Sequence, residues 1–533
     1  MEEIYLKEFE KLNSYQKEAV ISKGGHILLN AVVGSGKTTV LTHKVLYLNI
    51  IEKIPLEDMV VLTFTNKAAE EIKERVLAFR ENFKEGMKYF GTFHSIARAI
   101  LSESSSLEAL GYSRDFEVID NVKAGDMLLE IIESNKLKVK YKSKLMKRIE
   151  EFKKGNTLYG AMKKDDDISR LAELYNEEKR RRNLMDFDDL IEKCIEALRE
   201  PINPKWIIID EFQDTDLRQL ELIGKIAGRD TSIFAVGDPN QIIYSWRTGT
   251  TNIFSEFKKV YNPREMSLPI NYRSSRTIIG AAKALLGGED IKGVKDGGGP
   301  IIVKKHHDAF NEALHIARRI KKFHGEGIPY KDIGILYRRQ SQGEVLSEVF
   351  EKEGIPFKIV YKKGIPFEEE GEFDRESVSL LTIHASKGLE FSHVFITGVN
   401  MGNIPLSTKR DQEEEEVRIF FVGITRAKNY LELSYITKPS LPGMLPYPST
   451  YISMIPSSMV KRDDEGEGTS FKDIMKLLRE EREKKQQGAS QRRAKHPKYG
   501  EGIITYEDDS IIKVEFEGYG EKEFSKLFCP LVM

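Results

Sequence analysis

The strongest candidate for a functional site is a glycine-rich run, AVVGSGKT, at positions 31–38. It follows an apolar stretch and precedes a helical pattern, so it predicts a buried strand, a loop and a helix N-terminus. Glycines let backbone N–H groups face phosphate oxygens, and the helix N-terminus adds partial positive charge. Lys37 would then reach the β- and γ-phosphates of a nucleotide, and the Thr38 hydroxyl would hold Mg²⁺. The alternative is an ordinary strand-turn-helix connection that binds nothing.

A pair of carboxylates supplies the second half of this chemistry. The β-branched run at 207–209 predicts a buried parallel strand that ends at Asp210 and Glu211. Ligand-binding groups collect at the carboxyl ends of such strands. Asp210 would hold Mg²⁺, and Glu211 would polarise the attacking water. Together with the glycine loop, the pair predicts hydrolysis of a nucleoside triphosphate.

Composition limits the class of protein. The chain has 533 residues, 40% of them hydrophobic and 31% charged, which predicts a globular protein of several domains. It contains no apolar run long enough for a membrane span, and its first residues lack the pattern of a secretory leader. The two cysteines are too few for a disulfide framework, so we expect a reducing cytoplasm. With a formal net charge of −1, nucleic-acid binding would need local basic patches and stacking side chains.

The elements that must position these residues alternate between strand and helix patterns, which predicts parallel sheets covered by helices. One sheet is predicted from short apolar runs at 26–30, 60–65, 206–210 and 232–237. A second sheet is predicted from runs at 301–305, 333–337, 378–383, 394–399 and 430–435. Three further strands, at 502–506, 511–516 and 521–524, would form a small β module.

These patterns predict five segments. The first α/β lobe would comprise residues 1–82 and 176–266, and a lysine-rich helical insertion without strands would occupy 83–175. The second lobe would comprise residues 267–456. A charged linker at 457–495 would lead to the β module at 496–533.

An ordered series of segments resembles the motifs of the UvrD/Rep/PcrA group of DNA helicases. Besides the glycine loop, the series comprises residues 12–20 (LNSYQKEAV), 63–69 (TFTNKAA), 91–95 (GTFHS), 210–214 (DEFQD), 236–247 (VGDPNQIIYSWR), 271–274 (NYRS), 382–391 (TIHASKGLEF) and 422–427 (VGITRA). The resemblance implies two RecA-like P-loop motor lobes with a helical insertion in the first lobe. It also implies an ATP-dependent, Mg²⁺-requiring helicase that moves 3′→5′ on single-stranded DNA and unwinds duplex, in repair or replication.

The resemblance also assigns a nucleotide site. Gln16 would hydrogen-bond the adenine edge, Tyr272 would stack on adenine, and Glu390 would reach the ribose. The nucleotide would also contact the glycine loop and the residue after it, namely Ala31, Val32, Val33, Gly34, Ser35, Gly36, Lys37, Thr38 and Thr39.

The catalytic residues implied by the resemblance are Lys37, Glu211, Gln241, Arg273 and Arg426. Arg273 and Arg426 belong to the second lobe and would neutralise charge on the γ-phosphate, as arginine fingers do. Gln241 would sense the same phosphate and relay its presence to the DNA-binding segment.

DNA contacts are expected on both lobes, at Thr63, Phe64, Asn66, Thr92, His94, Trp246, Arg247 and His384. Trp246 would stack on a base while Arg247 contacts the backbone. Core packing is the commoner role of a lone aromatic residue. The motif context therefore carries the assignment of Phe64 and Trp246 to DNA.

The chain departs from the group in several places. Val32 and Val33 replace a small Gly-Ala pair, and Thr39 replaces an arginine that flanks adenine. The large helical subdomain of the second lobe is missing, because only residues 361–381 could stand in its place.

The last segment resembles the Tudor-like barrel module of the same group, through residues 496–504 (HPKYGEGII) and 513–516 (KVEF). That module docks partners, RNA polymerase among them, although a generic small barrel without a partner is the alternative. We expect a monomer that contacts single-stranded DNA and duplex junctions. The alternative activity is a translocase that strips or remodels protein–DNA complexes with little unwinding.

Overall fold

A computed structural model describes residues 2–79, 86–139, 145–146, 148–149, 167–243, 252–288, 291–360, 376–407, 410–463, 493–496, 499–507, 511–516 and 520–525. The chain divides into two compact units, Met1–Asp463 and Asp464–Met533. The first unit contains two large parallel sheets, and the second contains a small antiparallel sheet.

The first lobe contains the first large sheet. Its described helices are α1 (Glu2–Phe9), α2 (Ser14–Ile21), α3 (Lys37–Ile50), α4 (Asn66–Leu77), α5 (Phe93–Glu103), α6 (Asn121–Ser134), α7 (Ile168–Arg181), α8 (Phe187–Ala197), α9 (Leu217–Ile226) and α10 (Ile253–Tyr261). Its described strands are β1 (His26–Ala31), β2 (Met59–Thr63), β3 (Phe90–Thr92), β4 (Glu117–Val118), β5 (Leu184–Met185), β6 (Trp206–Ile209), β7 (Ser232–Gly237) and β8 (Arg264–Leu268).

The pairings in the first sheet are parallel, with strand order β3-β2-β6-β7-β1-β8. Successive strand residues face opposite sides, and in β1 Leu28 and Leu29 enter two different hydrophobic clusters. Burial on both sides explains why these strands have continuous apolar sequences. Because the strands are parallel, the loops after β1, β2, β3, β6 and β7 leave at the same edge, where most of the predicted site residues lie.

The segment predicted as a helical insertion, residues 83–175, is only partly helical. β3 is an edge strand of the first sheet and β4 pairs with β5, so the expectation that this segment has no strands is wrong. Strands of two or three residues are too short to show an alternating pattern. Helices α6 and α7 share a separate hydrophobic cluster around Leu128, Leu171 and Tyr175. The lysine-rich positions 140–144 and 147 lie outside the described residues.

The second lobe contains the second large sheet. Its described helices are α11 (Arg276–Leu285), α12 (Ala309–Gly325), α13 (Gln340–Lys352), α14 (Arg410–Ile424) and α15 (Thr450–Met454). Its described strands are β9 (Ile270–Ser275), β10 (Lys292–Lys295), β11 (Ile301–His306), β12 (Ile333–Tyr337), β13 (Phe357–Val360), β14 (Val378–Thr382), β15 (Phe391–Ile396), β16 (Ala427–Ile436) and β17 (Val460–Asp463). The sheet order is β13-β14-β12-β15-β16-β11-β17, and β9 pairs separately with β10.

The second sheet confirms the five predicted runs as β11, β12, β14, β15 and β16. β13 and β14 are parallel neighbours joined through residues 361–377, of which 361–375 lie outside the described residues. A connection of that length is too short for a domain. β17 pairs with β11 and lies inside the segment predicted as linker. The second lobe therefore extends past the predicted boundary at residue 456.

The second unit contains a meander of antiparallel strands, β18 (Arg493–His496), β19 (Gly500–Glu507), β20 (Ile511–Phe516) and β21 (Gly520–Ser525). The three predicted strands are present. β18 begins inside the segment predicted as linker, because four residues with Ala494 as the one apolar position do not show a strand pattern. The core of the described sheet comprises Ala494, Ile504, Ile512, Val514 and Phe516. Closure into a Tudor-like barrel stays a prediction.

Candidate active site

The glycine loop between β1 and α3 has the conformation that a phosphate site requires. Gly34 and Gly36 have φ of 65° and 82°, in the left-handed region that favours glycine. Gly36 is the N-cap of α3 and provides no side-chain cap, so the first N–H groups of the helix can meet an anion. Among the described residues, the Ser35 hydroxyl is buried without a hydrogen-bond partner. The loop therefore fits the phosphates of a nucleotide.

Lys37 and Glu211 form an ion pair at the floor of the site, with 2.7 Å between Lys37 Nζ and Glu211 Oε2. The Gln213 side chain also donates to the Glu211 carboxylate. The Glu211 backbone has φ of 47° and ψ of 44°, which is strained for a residue with a side chain. Its N–H donates to Asp210 Oδ1 over 2.9 Å. These contacts fix the carboxylate beside the lysine that would bind phosphate.

Asp210 and Glu211 have pKa values that are shifted in opposite directions. Burial, and then the charge of Glu211, raise the pKa of Asp210 to about 7. Burial also raises the pKa of Glu211, but Lys37 and Lys387 outweigh it and lower that pKa below its usual range. Glu211 is thus the ionised partner, whereas the charge of Lys37 offsets only part of the rise in the pKa of Asp210.

Asp210 and Thr38 are suited to Mg²⁺ because both present hard oxygen ligands. Asp210 is buried beside Glu211, and a nearby cation would favour the ionised form of its carboxyl group. Within the described ranges, no group of three or more His, Cys, Asp or Glu side chains could hold a metal.

A chain of side-chain contacts connects the carboxylates to the second lobe. Gln213 Oε1 accepts from the Asp238 N–H over 2.9 Å, and Gln241 Nε2 donates to Asp238 Oδ2 over 2.8 Å. Arg426 Nη2 approaches Gln241 Oε1 at 3.5 Å from the other lobe. The predicted sensor and one predicted arginine finger therefore touch each other.

Arg426 is almost fully buried, with 1% of its surface exposed. Its Nε donates to the Val422 carbonyl over 3.0 Å and its Nη1 to the Leu389 carbonyl over 3.1 Å. Burial, and then the charge of Arg273, lower the pKa of Arg426 to about 9. The guanidinium therefore remains charged at neutral pH and is held in place by two backbone carbonyls.

A cavity of about 730 Å³ opens beside the glycine loop and brings the predicted adenine and ribose residues together. Its wall includes Gln16, Thr39, Tyr272, Arg273 and Glu390. The cavity is bounded by both lobes, which suits a nucleotide held between them.

The predicted adenine residues are hydrogen-bonded to protein groups in this structure. Gln16 Nε2 donates to the Ser35 carbonyl over 3.0 Å, and Gln16 Oε1 accepts from the Asn13 N–H over 3.1 Å. The Tyr272 hydroxyl accepts from Asn13 Nδ2 over 2.7 Å. Both side chains line the cavity, and adenine recognition by them stays a prediction.

Lys387 is a functional candidate to which the sequence assigned no role. Its Nζ lies 2.6 Å from Asp214 Oδ1 and 2.7 Å from the Gln241 carbonyl oxygen, so a buried cation of the second lobe pairs with the first. The only sequence signal was a lysine within the segment 382–391. Its partner lies 173 positions away, a separation that local patterns cannot reveal.

Asn271 and Val33 form a further contact between the lobes, which the sequence did not predict. Asn271 Nδ2 donates to the Val33 carbonyl over 2.6 Å, and the Tyr272 N–H donates to the Gly34 carbonyl over 2.9 Å. The Val33 side chain is buried in a hydrophobic cluster made mainly by the second lobe. The valine that departs from the group's pattern is therefore part of the lobe interface.

Several predicted DNA residues lie together at the edge of the first sheet. Thr63 and Thr92 are directly paired across β2 and β3, which places the following residues, Phe64, Asn66 and His94, in neighbouring segments. Thr92 caps α5 by accepting from the Ser95 N–H, and the His94 ring packs edge-on against Phe187. His384 follows β14 in the second lobe. Trp246 and Arg247 lie outside the described residues.

The parallel sheets, the glycine loop and the arginines supplied from a second lobe define a two-lobed P-loop nucleotide-binding protein. The sequence matches the UvrD/REP helicase N-terminal domain over residues 12–262. It also matches the UvrD-like helicase C-terminal domain over residues 266–370 and 365–438. The chain therefore belongs to the UvrD/Rep family of ATP-dependent DNA helicases, which confirms the resemblance.

Three curated relatives illustrate the extent of the similarity. The chain is 27% identical to the "Probable DNA helicase" of Mycoplasma pneumoniae, over 84% of this chain and 87% of that protein. It is 31% identical to "ATP-dependent DNA helicase UvrD1" of Mycobacterium tuberculosis, over 71% and 53%. It is 30% identical to "ATP-dependent DNA helicase PcrA" of Staphylococcus aureus, over 66% and 50%. The match thus spans only about half the length of the UvrD1 and PcrA relatives.

In the part of the chain that the structure describes, no helix is both long enough and apolar enough to cross a bilayer.

Proposed function

We propose that the chain is a DNA-stimulated ATPase that moves 3′→5′ on single-stranded DNA and uses Mg-ATP hydrolysis to unwind duplex, in DNA repair or replication. The observation that carries the proposal is the convergence of Lys37, Glu211, Gln241 and Arg426 at one interlobe site. The polarity rests on membership of the family. We further propose that the protein works in the cytoplasm as a monomer.

The proposed chemistry follows from the position of each side chain. Lys37 binds the terminal phosphates, and Glu211 orients and polarises the attacking water. Thr38 and Asp210 would hold Mg²⁺, which when bound would neutralise charge on the phosphates. Arg273 and Arg426 stabilise the charge that develops on the γ-phosphate. Hydrolysis requires both lobes because the two arginines and the glycine loop belong to different lobes.

DNA would act through the same lobe arrangement. Thr63, Phe64, Asn66, Thr92 and His94 follow strands of the first sheet, whereas His384 follows a strand of the second. A single strand that contacts both sets would favour the joined arrangement of the lobes, and so would stimulate turnover. Trp246 and Arg247 are proposed to complete this surface by stacking and by phosphate contact.

The test is an ATPase assay with and without single-stranded DNA, run beside strand displacement on 3′-tailed and 5′-tailed duplexes. We expect strong stimulation by DNA and displacement only from the 3′ tail. Equal ATPase rates with and without DNA would contradict the coupling. Displacement from the 5′ tail alone would contradict the polarity.

A second candidate function is a translocase that strips or remodels protein–DNA complexes with little unwinding. The observation that favours it is the short connection between β13 and β14, which leaves no room for a large duplex-gripping subdomain. The tail unit would recruit a partner such as RNA polymerase. Rapid displacement of a protein roadblock, without displacement of long duplexes, would favour this alternative. A pull-down with and without the tail unit tests recruitment.

A further inference from the structure

One carboxylate in the nucleotide cleft is held by two cations. Arg273 Nε lies 2.6 Å from Glu390 Oε2, and Lys428 Nζ lies 2.6 Å from Glu390 Oε1. The three side chains line the cavity of about 730 Å³ beside the glycine loop. Arg273 and Glu390 already have proposed roles at phosphate and ribose, whereas Lys428 has none.

The geometry makes Glu390 the connection between the two cations. Each carboxylate oxygen takes one partner, so rotation of Glu390 would break one or both contacts. Because Arg273 contacts Glu390 through Nε, the two terminal nitrogens of its guanidinium group can face phosphate. Burial raises the pKa of Glu390, but Arg273 and Lys428 together hold it below its usual range. The carboxylate thus stays charged while it orients the arginine.

The backbone reinforces the same arrangement. Ser274 Oγ donates to the Ala427 carbonyl over 2.6 Å, which ties the residue after Arg273 to the residue before Lys428. Lys428 also lies two positions after Arg426, at the start of β16. Displacement of this strand end would therefore affect both arginines.

We propose that Lys428 is a positioning residue that anchors Glu390, so that Glu390 can orient Arg273 towards phosphate and meet the ribose hydroxyls. This inference rests on the proposed function and adds a specificity determinant to it. The ligand feature that Lys428 would select, through Glu390, is a ribose hydroxyl, and the 3′-hydroxyl is the one that the experiment removes.

The test measures kcat and KM for ATP and for 3′-deoxy-ATP, with saturating single-stranded DNA. Lys428→Met should lower kcat/KM for ATP by about 3- to 10-fold, because one charge-assisted hydrogen bond at a partly exposed site is lost. It should reduce the preference for ATP over 3′-deoxy-ATP by a similar factor. Lys428→Arg should restore most of that preference, since it retains the cation.

The matched control is Lys295→Met, which removes a charge from the same cleft. Lys295 Nζ donates to the Arg273 carbonyl over 3.2 Å, not to Glu390. Lys295→Met should therefore leave the preference for the 3′-hydroxyl in place. In a Glu390→Gln background, Lys428→Met should have no further effect on that preference, because the anchored group is already lost.

Two outcomes would overturn the inference in an active enzyme. One is a Lys428→Met variant with wild-type preference between the two nucleotides. The other is an equal loss of preference in Lys295→Met, which would indicate only the summed charge of the cleft. Absence of DNA-stimulated ATPase in the wild-type protein would instead count against the proposed function.

Discussion

At the residue scale, Glu211 combines two energetically unfavourable features, of a kind that is common at functional sites. Its backbone is left-handed although it is not glycine, and its carboxylate is ionised in a mostly buried site. Lys37 and Gln213 hold that carboxylate, so its position is set by the protein itself. Pre-positioning of this kind lets a base act without reorganisation during the reaction.

The Glu211→Gln variant tests the role of this carboxylate. Gln keeps the shape of the side chain but cannot polarise water, so DNA-stimulated turnover should fall by on the order of 10²–10⁴. Mg-ATP binding should persist, because Lys37 and Asp210 remain. The measurement is single-turnover hydrolysis beside equilibrium binding of a fluorescent ATP analogue. Turnover close to wild type would assign Glu211 a structural role instead.

At the element scale, the sequence predicted the strands that appear as continuous apolar runs. It missed the strands and contacts that depend on tertiary pairing. β1, β6 and β7 are buried on both faces, so their sequences alone identify them. β9 (INYRSS) is polar because it carries site residues, and β3 has only three residues. The glycine loop could be predicted because the residues that would bind phosphate are consecutive in the sequence. The Lys387–Asp214 and Asn271–Val33 contacts could not be predicted, because they join residues that are far apart in the sequence.

The glycine loop offers a test of the interlobe contact. A Cβ on Gly34 would lie 2.6 Å from Asn271 Nδ2 and 2.7 Å from Arg273 Cβ, so Gly34→Ala should push β9 away and weaken ATP binding at least about tenfold. Gly24→Ala is the control, because Gly24 also has positive φ (58°) and a Cβ there meets nothing within 4 Å. Titration with a fluorescent ATP analogue measures both variants. Equal weakening in both would attribute the effect to backbone strain alone.

Helices α2 and α3 are joined by a buried lysine. Lys44 Nζ donates to the Val20 carbonyl over 3.1 Å and to the Ser22 carbonyl, and it lies 4.4 Å from the Trp206 ring centre. Burial lowers the pKa of Lys44 from its usual value to about 7. This contact fixes the helix that carries Gln16 against the helix that follows the glycine loop.

The lowered pKa gives the fold a pH dependence with a definite sign. Between about pH 7 and pH 10 the unfolded chain keeps a proton on Lys44 that the folded chain releases. The free energy of unfolding therefore rises with pH in this window, by up to about 1.4 kcal/mol per pH unit from this group. Below pH 7 both states are protonated, and the contribution no longer changes.

Lys44→Met should remove that slope. Between pH 7 and pH 9, the stability of the wild type relative to the variant should increase by about 2 kcal/mol. Denaturant unfolding followed by tryptophan fluorescence measures the difference, since Trp206 lies against the lysine. Lys258→Met, at an exposed lysine paired with Glu265, is the control and should leave the slope unchanged. Parallel pH profiles for wild type and Lys44→Met would contradict the assignment.

At the scale of the whole molecule, the two lobes are joined through the active site itself. Lys387 pairs with Asp214, Asn271 holds the glycine loop, and Val33 and Ile243 enter the second lobe's hydrophobic cluster. Anything that changes the lobe arrangement must therefore change the hydrolytic site, and the reverse also holds. This reciprocity would be the physical basis of the proposed coupling between ATP turnover and movement along DNA.

The boundary between the two units provides the last prediction. β17 is an edge strand of the second sheet, paired with β11 from Ile301 to Lys304, and Val460 packs on the main hydrophobic cluster of that lobe. A chain of residues 1–470 keeps β17 and omits the tail sheet, so its DNA-stimulated ATPase should stay within about twofold of wild type. A chain of residues 1–459 lacks β17 and exposes the edge of β11, so its melting temperature and ATPase should both fall.

The two truncations separate the tail from the motor, because they differ by little more than β17. Thermal unfolding and DNA-stimulated ATPase of both chains, measured beside the full-length protein, give the result. If residues 1–470 are as inactive as residues 1–459, the tail unit is part of the motor. If residues 1–459 retain full stability and activity, β17 is dispensable and the predicted end of the lobe at residue 456 is functionally correct. A cut near Lys495 would not make this distinction, since it divides β18.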